Sequence, residues 1–394
     1  HAHGEDYRRE HRPSAAQDKV LRHIASCRTA ALGGHVDECT SCGHDRISYN
    51  SCRDRHCPKC QGPQRAQWLT DRLQRLLSTE YFHVVFTLPD LLNPLALRNK
   101  RLLFNILFRA ASRTLLELAA DPQRLGAQIG VTAVLHTWGQ NMLFHPHLHC
   151  VVTGGGLSAD AERWVPGRKQ YFLPVKVLGA LFRGKYMASL QDAYKNGDLD
   201  LAGSTAELND PVAWAGMRDR LHRTDWVVYA KRPFGGPEQV FNYLGRYTHR
   251  VAISNHRIVE VKDGRVVFSY RDYKDDAKKK LMTLGAVEFL RRFLLHVLPI
   301  GFVRIRHYGL YAGRNVHTRL AKAHRLLDPD RNTADSAEAS DPDEQSWWDR
   351  FLEQTGVDVM VCPRCGGKLI RRGMMRPCPE SPIALTARAP PVAA

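Results

Sequence analysis

The chain is short of acidic side chains. Its 394 residues carry 40 Asp and Glu against 57 Lys and Arg, a formal net charge of +17 and a pI near 9.6. That imbalance points to a polyanionic partner, most economically nucleic acid. Generic solubility charge would be scattered. Here it is clustered, in KKK at 278–280, in RR at 291–292 and in VRIRHYG, with Arg304, Arg306 and His307. No apolar run reaches the roughly 18 residues of a membrane span, so no membrane partner is expected. The first residues, HAHGEDYRREHRPS, contain no signal-peptide core, and the protein is read as cytoplasmic. The chain starts without Met, so a few preceding residues are expected. It has no G-x-x-x-x-G-K-[ST] loop, hence no recognisable motor for strand separation, and no internal repeat. A hydrophobic fraction of 43% is that of a globular protein, and the length suits two or more domains.

Cysteine is not scarce, but in a cytosolic chain CxxC pairs point to zinc rather than disulfides. Six of the ten cysteines lie between Cys27 and Cys60. Cys39 and Cys42 form one CxxC, Cys57 and Cys60 a second. Each pair presents two thiolates from a tight turn, and two turns complete a tetrahedral sulfur site, closed and therefore structural. The expected zinc ligands are Cys39, Cys42, Cys57 and Cys60. Cys27, His44, Cys52 and His56 remain as spare ligands, which leaves open a second zinc or a different choice of four. The neighbouring Arg46, Arg53, Arg55 and Lys59 would touch DNA. Near the other end, VCPRCGGKL looks like half a zinc ribbon, with Cys378 as a third ligand and no evident fourth, so zinc there stays open.

The fold class expected is α+β. Residues 1–80 make a first unit, with helices over PSAAQDKVLRHIASC and QRAQWLTDRLQRLLSTE around the cysteines. Residues 81–325 alternate strands and helices. Strands are expected at 81–89, at 130–138, over HLHCVVTGG and at 225–234. Helices are expected at 101–120, 173–194, 237–250 and over AVEFLRRFLLHVLP. A hairpin turns at Asp263-Gly264. The strand at 130–138 can pair antiparallel with HLHCVVTGG. Residues 326–346 are acidic and rich in small residues, a flexible linker, and 347–394 form a tail. Arg304, Arg306 and Tyr308 alternate, so one strand face would offer DNA both charge and a stacking ring. Arg246 and Arg250 complete the DNA-binding candidates.

The most informative stretch is HPHLHC, 145–150. On a strand, His145, His147 and His149 share one face and can converge on a divalent ion. Pro146 suits only a strand start or edge, which makes His147 and His149 the better pair. Two imidazoles are too few. His136, Gln140, His145 and His249 are candidates for a third, with His136, on the neighbouring strand, preferred. The companion motif is YLGRY, whose Tyr243 and Tyr247 would stand one turn apart on a helix face. A metal acting on a scissile phosphate beside a tyrosine nucleophile gives a phosphotyrosine ester that stores the energy of the broken bond. A second tyrosine permits a second strand transfer. Because the ion must accept phosphate oxygens, Mg²⁺ or Mn²⁺ suits this chemistry.

HPHLH matches the His-hydrophobic-His motif of the HUH endonucleases. YLGRY followed by THRVAISN resembles the two-tyrosine transposases of the insertion sequence 91 family. The resemblance extends through SCRDRHCPKCQ, VVFTLP, HTWGQNMLFHPHLHCVVTGGG and EFLRRFLLHVLPIGFVRIRHYG, over most of residues 20–325. It implies an HUH nuclease domain with a central antiparallel sheet flanked by helices, preceded by a zinc-binding domain that helps recognise the element's ends. It implies rolling-circle transposition of single-stranded DNA, metal binding by His147 and His149, and nucleophilic roles for Tyr243 and Tyr247. With no motor of its own, the protein would borrow a host helicase or act on DNA that is already single-stranded. Three rivals are weighed. A replication initiator or relaxase would share the chemistry, but the zinc module and tyrosine spacing favour transposition. A metal-dependent hydrolase would need further His and Asp ligands and no such charge. A DNA-binding zinc protein without catalysis would need neither HPHLH nor YLGRY.

Overall fold

Apolar alternation in YFHVVFT, GVTAVLHTW and FHPHLHCVVT builds the central sheet. The structure, a computed structural model, describes residues 3–167, 173–231, 251–273, 275–329 and 358–378, with positions 239 and 352 standing alone and only the backbone at 63–66, 69 and 70. The expected helix at 237–250 and nearly all of the expected linker and tail up to residue 357 therefore lie outside the described residues.

The chain opens with α1 (Gly4–His11) and α2 (Ala15–Ser26). A capping box starts α2: Ser14 Oγ accepts from Gln17 N at 3.3 Å, and Gln17 Oε1 accepts from Ser14 N at 2.9 Å. Strands β1 (Gly34–Cys39) and β2 (Asp45–Tyr49) and helix α3 (Gly62–Leu73) follow. The larger unit runs through β3 (Tyr81–Thr87), α4 (Asn93–Arg98), α5 (Lys100–Ala120), β4 (Ala127–Gln128), β5 (Gly130–Trp138) and β6 (Phe144–Thr153). It continues through β7 (Gly155–Ser158), β8 (Trp164–Pro166), α6 (Val175–Lys195), α7 (Pro211–Arg223) and β9 (Val228–Lys231). Then come β10 (Ile258–Lys262), β11 (Arg265–Asp272), β12 (Lys278–Gly285), α8 (Ala286–Leu295), β13 (Ile305–Gly309), α9 (Ala321–Leu327) and β14 (Leu369–Met375).

The result is α+β, with antiparallel sheets. The main sheet has five strands in the order β13-β5-β6-β3-β9. One face packs on α5 and α6: Phe82, Val84 and Phe86 of β3, Val131, Ala133 and Leu135 of β5, and Leu148, Cys150 and Val152 of β6 are buried against Phe104, Leu107, Phe108 and Phe182. Each such large side chain stabilises by about 1.5–3 kcal/mol. At one end of the opposite face Val134, Val151, Leu310 and Tyr311 form a second apolar cluster with Tyr81, whose hydroxyl meets that of Tyr311 at 2.6 Å. The other end of that face carries histidines.

The Asp263-Gly264 hairpin forms, with φ of 48° and 70° at the two turn residues, as a mirror-image turn requires. The KKK run, unassigned from the sequence, extends it as the edge strand β12. Helix α7 was also not read from the sequence, although Asp210 caps it, accepting from Val212 N at 3.1 Å, and Pro211 occupies its first turn. The C-terminal segment makes a larger difference. Within the expected tail, β14 pairs antiparallel with β1, in the sheet β14-β1-β2.

Gly309 ends β13 at φ 61°, and a Cβ there would stand 1.9 Å from the carbonyl oxygen of Ile129. Gly309→Ala is expected to cost about 2 kcal/mol or more and to lower the melting temperature by several degrees. An unchanged thermal denaturation curve would contradict this.

Candidate metal centre and cysteine clusters

Burial on β6 alternates. Phe144, Leu148, Cys150 and Val152 face the helices, which turns His145, His147 and His149 to the other side. The β5–β6 register sets His136 opposite His147 and Val134 opposite His149. The candidate ligand atoms of His136, His147 and His149 all lie within 4.8 Å of one another. His136 is buried and stacked on Trp138 at 4.8 Å, while His147 and His149 are half-buried.

Their hydrogen bonds select the atoms on offer. His147 donates from Nδ1 to the His145 carbonyl at 2.7 Å, leaving Nε2 as its lone-pair nitrogen. His149 Nδ1 meets His83 Nε2 at 2.7 Å. A neutral His149 that donates there directs its own Nε2 lone pair toward His147 Nε2, 3.1 Å away. Two lone pairs at that distance repel unless a cation lies between them. Burial first, then neighbouring imidazoles, pushes His147 down to about 4 and holds His136 and His149 well below the ordinary value. A proton therefore does not supply that cation near neutrality. Adjacent ligands of an octahedral ion bound at about 2.0–2.1 Å are separated by about 3 Å, so the donor set fits a divalent metal.

Of the other expected third ligands, His145 leans away toward Asp90 Oδ1, at 3.5 Å. Gln140 sits in the β5–β6 turn, where its carbonyl accepts from Arg257. His249 lies outside the described residues. So do Tyr243, Arg246, Tyr247 and Arg250. Sequence reasoning missed His83. Its only signal is the strand parity of YFHVVFT, which places it on the face of His147 and His149.

The cysteines are partitioned differently from expectation. Cys57 and Cys60 gather with Cys27 and Cys52, whereas Cys39 and Cys42 gather with Cys362 and Cys365. The expected set of Cys39, Cys42, Cys57 and Cys60 is thus split between two clusters. The physical reason is strand pairing: β14 lies on β1 and brings the distant CxxC to Cys39. Sulfur separations of 3.5 Å (Cys39–Cys365), 3.7 Å (Cys52–Cys60) and 3.9 Å (Cys42–Cys362) are close to the edge of about 3.8 Å of a tetrahedral zinc–sulfur site. His56 is not a ligand candidate. Its Nε2 accepts from Leu298 N at 3.2 Å, and its Nδ1 bonds Asp54 at 3.0 Å.

The basic residues also need correcting. Arg304 is 7% exposed, so it presents no DNA-facing surface. Burial, then the neighbouring Arg55, pushes its pKa down to about 9. Arg306 stacks over Phe108 at 4.2 Å and donates to Asn105 Oδ1 at 2.6 Å, on the helix side of the sheet, with Tyr308 packed on the same core. The alternation was correct, but the row faces inward. Near the cysteines, Arg55 donates to the carbonyls of Pro299 and Phe302 and Arg46 binds Asp37, whereas Arg53 and Lys59 are exposed.

Two predictions follow from the histidines. Truncating His83 to Ala removes the bond that orients His149 and should weaken divalent-metal binding about 10- to 100-fold in a Mn²⁺ titration. Unchanged affinity would reduce His83 to a space-filler. The second concerns His296, fully buried between Thr137 Oγ1 at 3.2 Å and the Met142 carbonyl at 3.1 Å, with its pKa pushed down by burial to about 3. The folded state then binds fewer protons here than the unfolded chain. This stability is full above about pH 6.5 and is lost as pH falls toward 3. From pH 7.5 to 5.5 the loss is about 1.4 kcal/mol. Denaturant melts at the two pH values should show that difference shrinking in His296→Gln, and an equal pH dependence would refute it.

Comparison with known proteins identifies the family. A family profile described as "Putative transposase" matches residues 130–319, and one described as "Transposase zinc-binding domain" matches residues 1–88. The second span contains Cys27, Cys52, Cys57 and Cys60. "Putative transposase y4qJ" of Sinorhizobium fredii is 51% identical over 363 residues, covering 92% of this chain and 90% of its own. "Transposase for insertion sequence element IS801" of Pseudomonas savastanoi pv. phaseolicola is 30% identical over 316 residues, covering 78% of this chain and 73% of its own. No solved structure matches the chain. With half its residues shared with one transposase across nearly its whole length, and an insertion sequence 91 zinc-binding domain at its start, the chain belongs to the insertion sequence 91 family of transposases.

Proposed function

We propose that this transposase nicks single-stranded DNA at the ends of its element through a 5′-phosphotyrosine and moves the element by rolling-circle strand transfer, on an HUH-type sheet. The observation that carries the reading is the convergence of His136, His147 and His149 on the sheet face opposite α5 and α6. Mg²⁺ or Mn²⁺ bound there would supply Lewis-acid polarisation of the scissile phosphate, and Mn²⁺ is the better match to nitrogen donors. The three imidazoles hold and orient, and His83 orients His149 in turn. Tyr243 or Tyr247 is the nucleophile: its phenol oxygen attacks phosphorus in line, the P–O3′ bond breaks, and the 3′ oxygen leaves as a hydroxyl, gaining a proton as the phenol loses one. Attack by a 3′-hydroxyl on the ester reseals a strand without ATP. Two tyrosines spaced i, i+4 allow a second cleavage while the first adduct persists.

DNA is the partner, drawn by the net charge of +17. Arg246 and Arg250, beside the tyrosines in sequence, are proposed to hold the DNA backbone, as are the exposed Arg53 and Lys59 of the zinc module. The Cys27, Cys52, Cys57 and Cys60 site holds structural Zn²⁺ in this reading. A host helicase, or DNA already unwound, provides the single strand.

The test is covalent capture. Labelled single-stranded DNA from the flanks of the element is incubated with the protein and Mn²⁺ or Mg²⁺ and resolved on a denaturing gel. A metal-dependent adduct is expected, lost in the Tyr243→Phe/Tyr247→Phe double variant and reduced at least about 100-fold in His147→Ala, with DNA affinity nearly unchanged. Tight DNA binding with no adduct on any flank would replace this reading with that of a binding protein.

A further inference from the structure

We propose that Cys39, Cys42, Cys362 and Cys365 hold a second zinc ion, which clasps the C-terminal segment onto the N-terminal module. This site reaches beyond the zinc-binding domain of residues 1–88 and is separate from the Cys27, Cys52, Cys57 and Cys60 cluster.

The two halves of the site have the same construction. CTSCG at 39–43 and CPRCG at 362–366 each end in a glycine in the left-handed region, with φ of 64° at Gly43 and 77° at Gly366. In each, the glycine N–H donates to the carbonyl of the first cysteine at 3.0 Å. In each, the first cysteine's own N–H donates to the carbonyl five residues on, Cys39 to His44 at 3.0 Å and Cys362 to Gly367 at 2.7 Å. Two identical turns face each other, as the halves of a zinc ribbon do. The Cys57–Cys60 pair has Gln61 where these turns have glycine, and it gathers with Cys27 and Cys52 instead.

The close approach is built for sulfur. Backbone N–H groups of Arg364 and Gly367 point at Cys362 Sγ and Cys365 Sγ, both at 3.4 Å, the arrangement that stabilises a thiolate. A Cβ on Gly367 would fall 2.5 Å from Ser41 Oγ and 3.0 Å from Cys39 Sγ, so only glycine lets the second turn seat against the first. Thr40 N donates to the Lys368 carbonyl at 3.0 Å and knits the two together.

Apolar burial alone does not hold this segment. The buried cluster at the junction consists of Cys39, Cys362 and Leu369, while Ile370 and Met374 of β14 are exposed. Three small contacts do not offset the conformational entropy of ordering the strand and its knuckle. A tetrahedral ion joining the two CxxC turns does, since binding a structural metal is itself a folding free energy. With the clasp closed, Arg371 reaches Asp37 at 3.0 Å and Arg372 lies near Glu38 at 3.5 Å.

The experiment is metal counting on the full chain. Elemental analysis should find two zinc ions per protein, and Co²⁺ exchange should give tetrathiolate absorption equivalent to two sites. Cys362→Ser/Cys365→Ser should lose one ion and half the absorption. In hydrogen exchange the same variant should lose protection of 369–375 while β5 and β6 stay protected. Cys27→Ser/Cys57→Ser should lose the other ion. One zinc per wild-type chain, two ions surviving in Cys362→Ser/Cys365→Ser, or unchanged protection of β14 in that variant would each overturn the clasp.

Discussion

The pleat of β6 decides where the chemistry can be. Its alternate residues Leu148, Cys150 and Val152 must enter the helix layer, because α5 and α6 present the larger apolar surface to that sheet. A slip of one residue would drive the imidazoles into that layer and turn the apolar set outward. The helices therefore hold the histidines in place from behind. β5 and β3 then fix the geometry from either side, His136 by direct opposition to His147 and His83 along the diagonal to His149. Rigid elements of this kind hold ligand positions better than loops can.

The zinc module is fastened to the same frame by polar contacts to the end of α8 and to the connector that follows it. Gln17 donates to the Leu294 carbonyl at 3.0 Å, and His56 and Arg55 engage the backbone between Leu298 and Phe302. That connector leaves α8 and enters β13, which lines the edge of the main sheet next to β5. Tyr7 and Val20 of the first two helices add apolar contact with Phe293, Leu294 and Val297. A shift of the cysteine module is thus transmitted to backbone next to the histidine-bearing strands. His296 sits in that path, joining the connector to the β5–β6 turn through Met142.

Much of this was readable from residue order, and the failures have physical causes. Local periodicity found the strands at 81–89 and 130–138, the helix at 101–120 and the Asp263-Gly264 turn, because each is stabilised by neighbours close in sequence. The HPHLH face was legible because parity on a strand is strict, and so was His136 as the preferred partner on the adjacent strand. His83 was not, since one histidine in an apolar strand is ordinarily a satisfied core residue. Alternation correctly linked Arg306 to Tyr308, but it cannot say which face of a strand meets the helices, and here an arginine is accommodated over Phe108. The cysteines were misassigned because proximity in sequence favoured Cys57 and Cys60 as partners for Cys39 and Cys42. The glycine after Cys42 and after Cys365 was the better guide, since it marks the same turn twice.

The pairing of β14 with β1 has a consequence for biosynthesis. Cys39 and Cys365 are 326 residues apart in sequence. While the protein is being made, β1 emerges before β14 and must wait, with one hydrogen-bonding edge open, until β14 has also left the ribosome. An open strand edge is a site for mispairing with other nascent chains. A truncated translation product would carry that defect permanently. Completion of the N-terminal sheet therefore reports that the message has been read through the codons of β14.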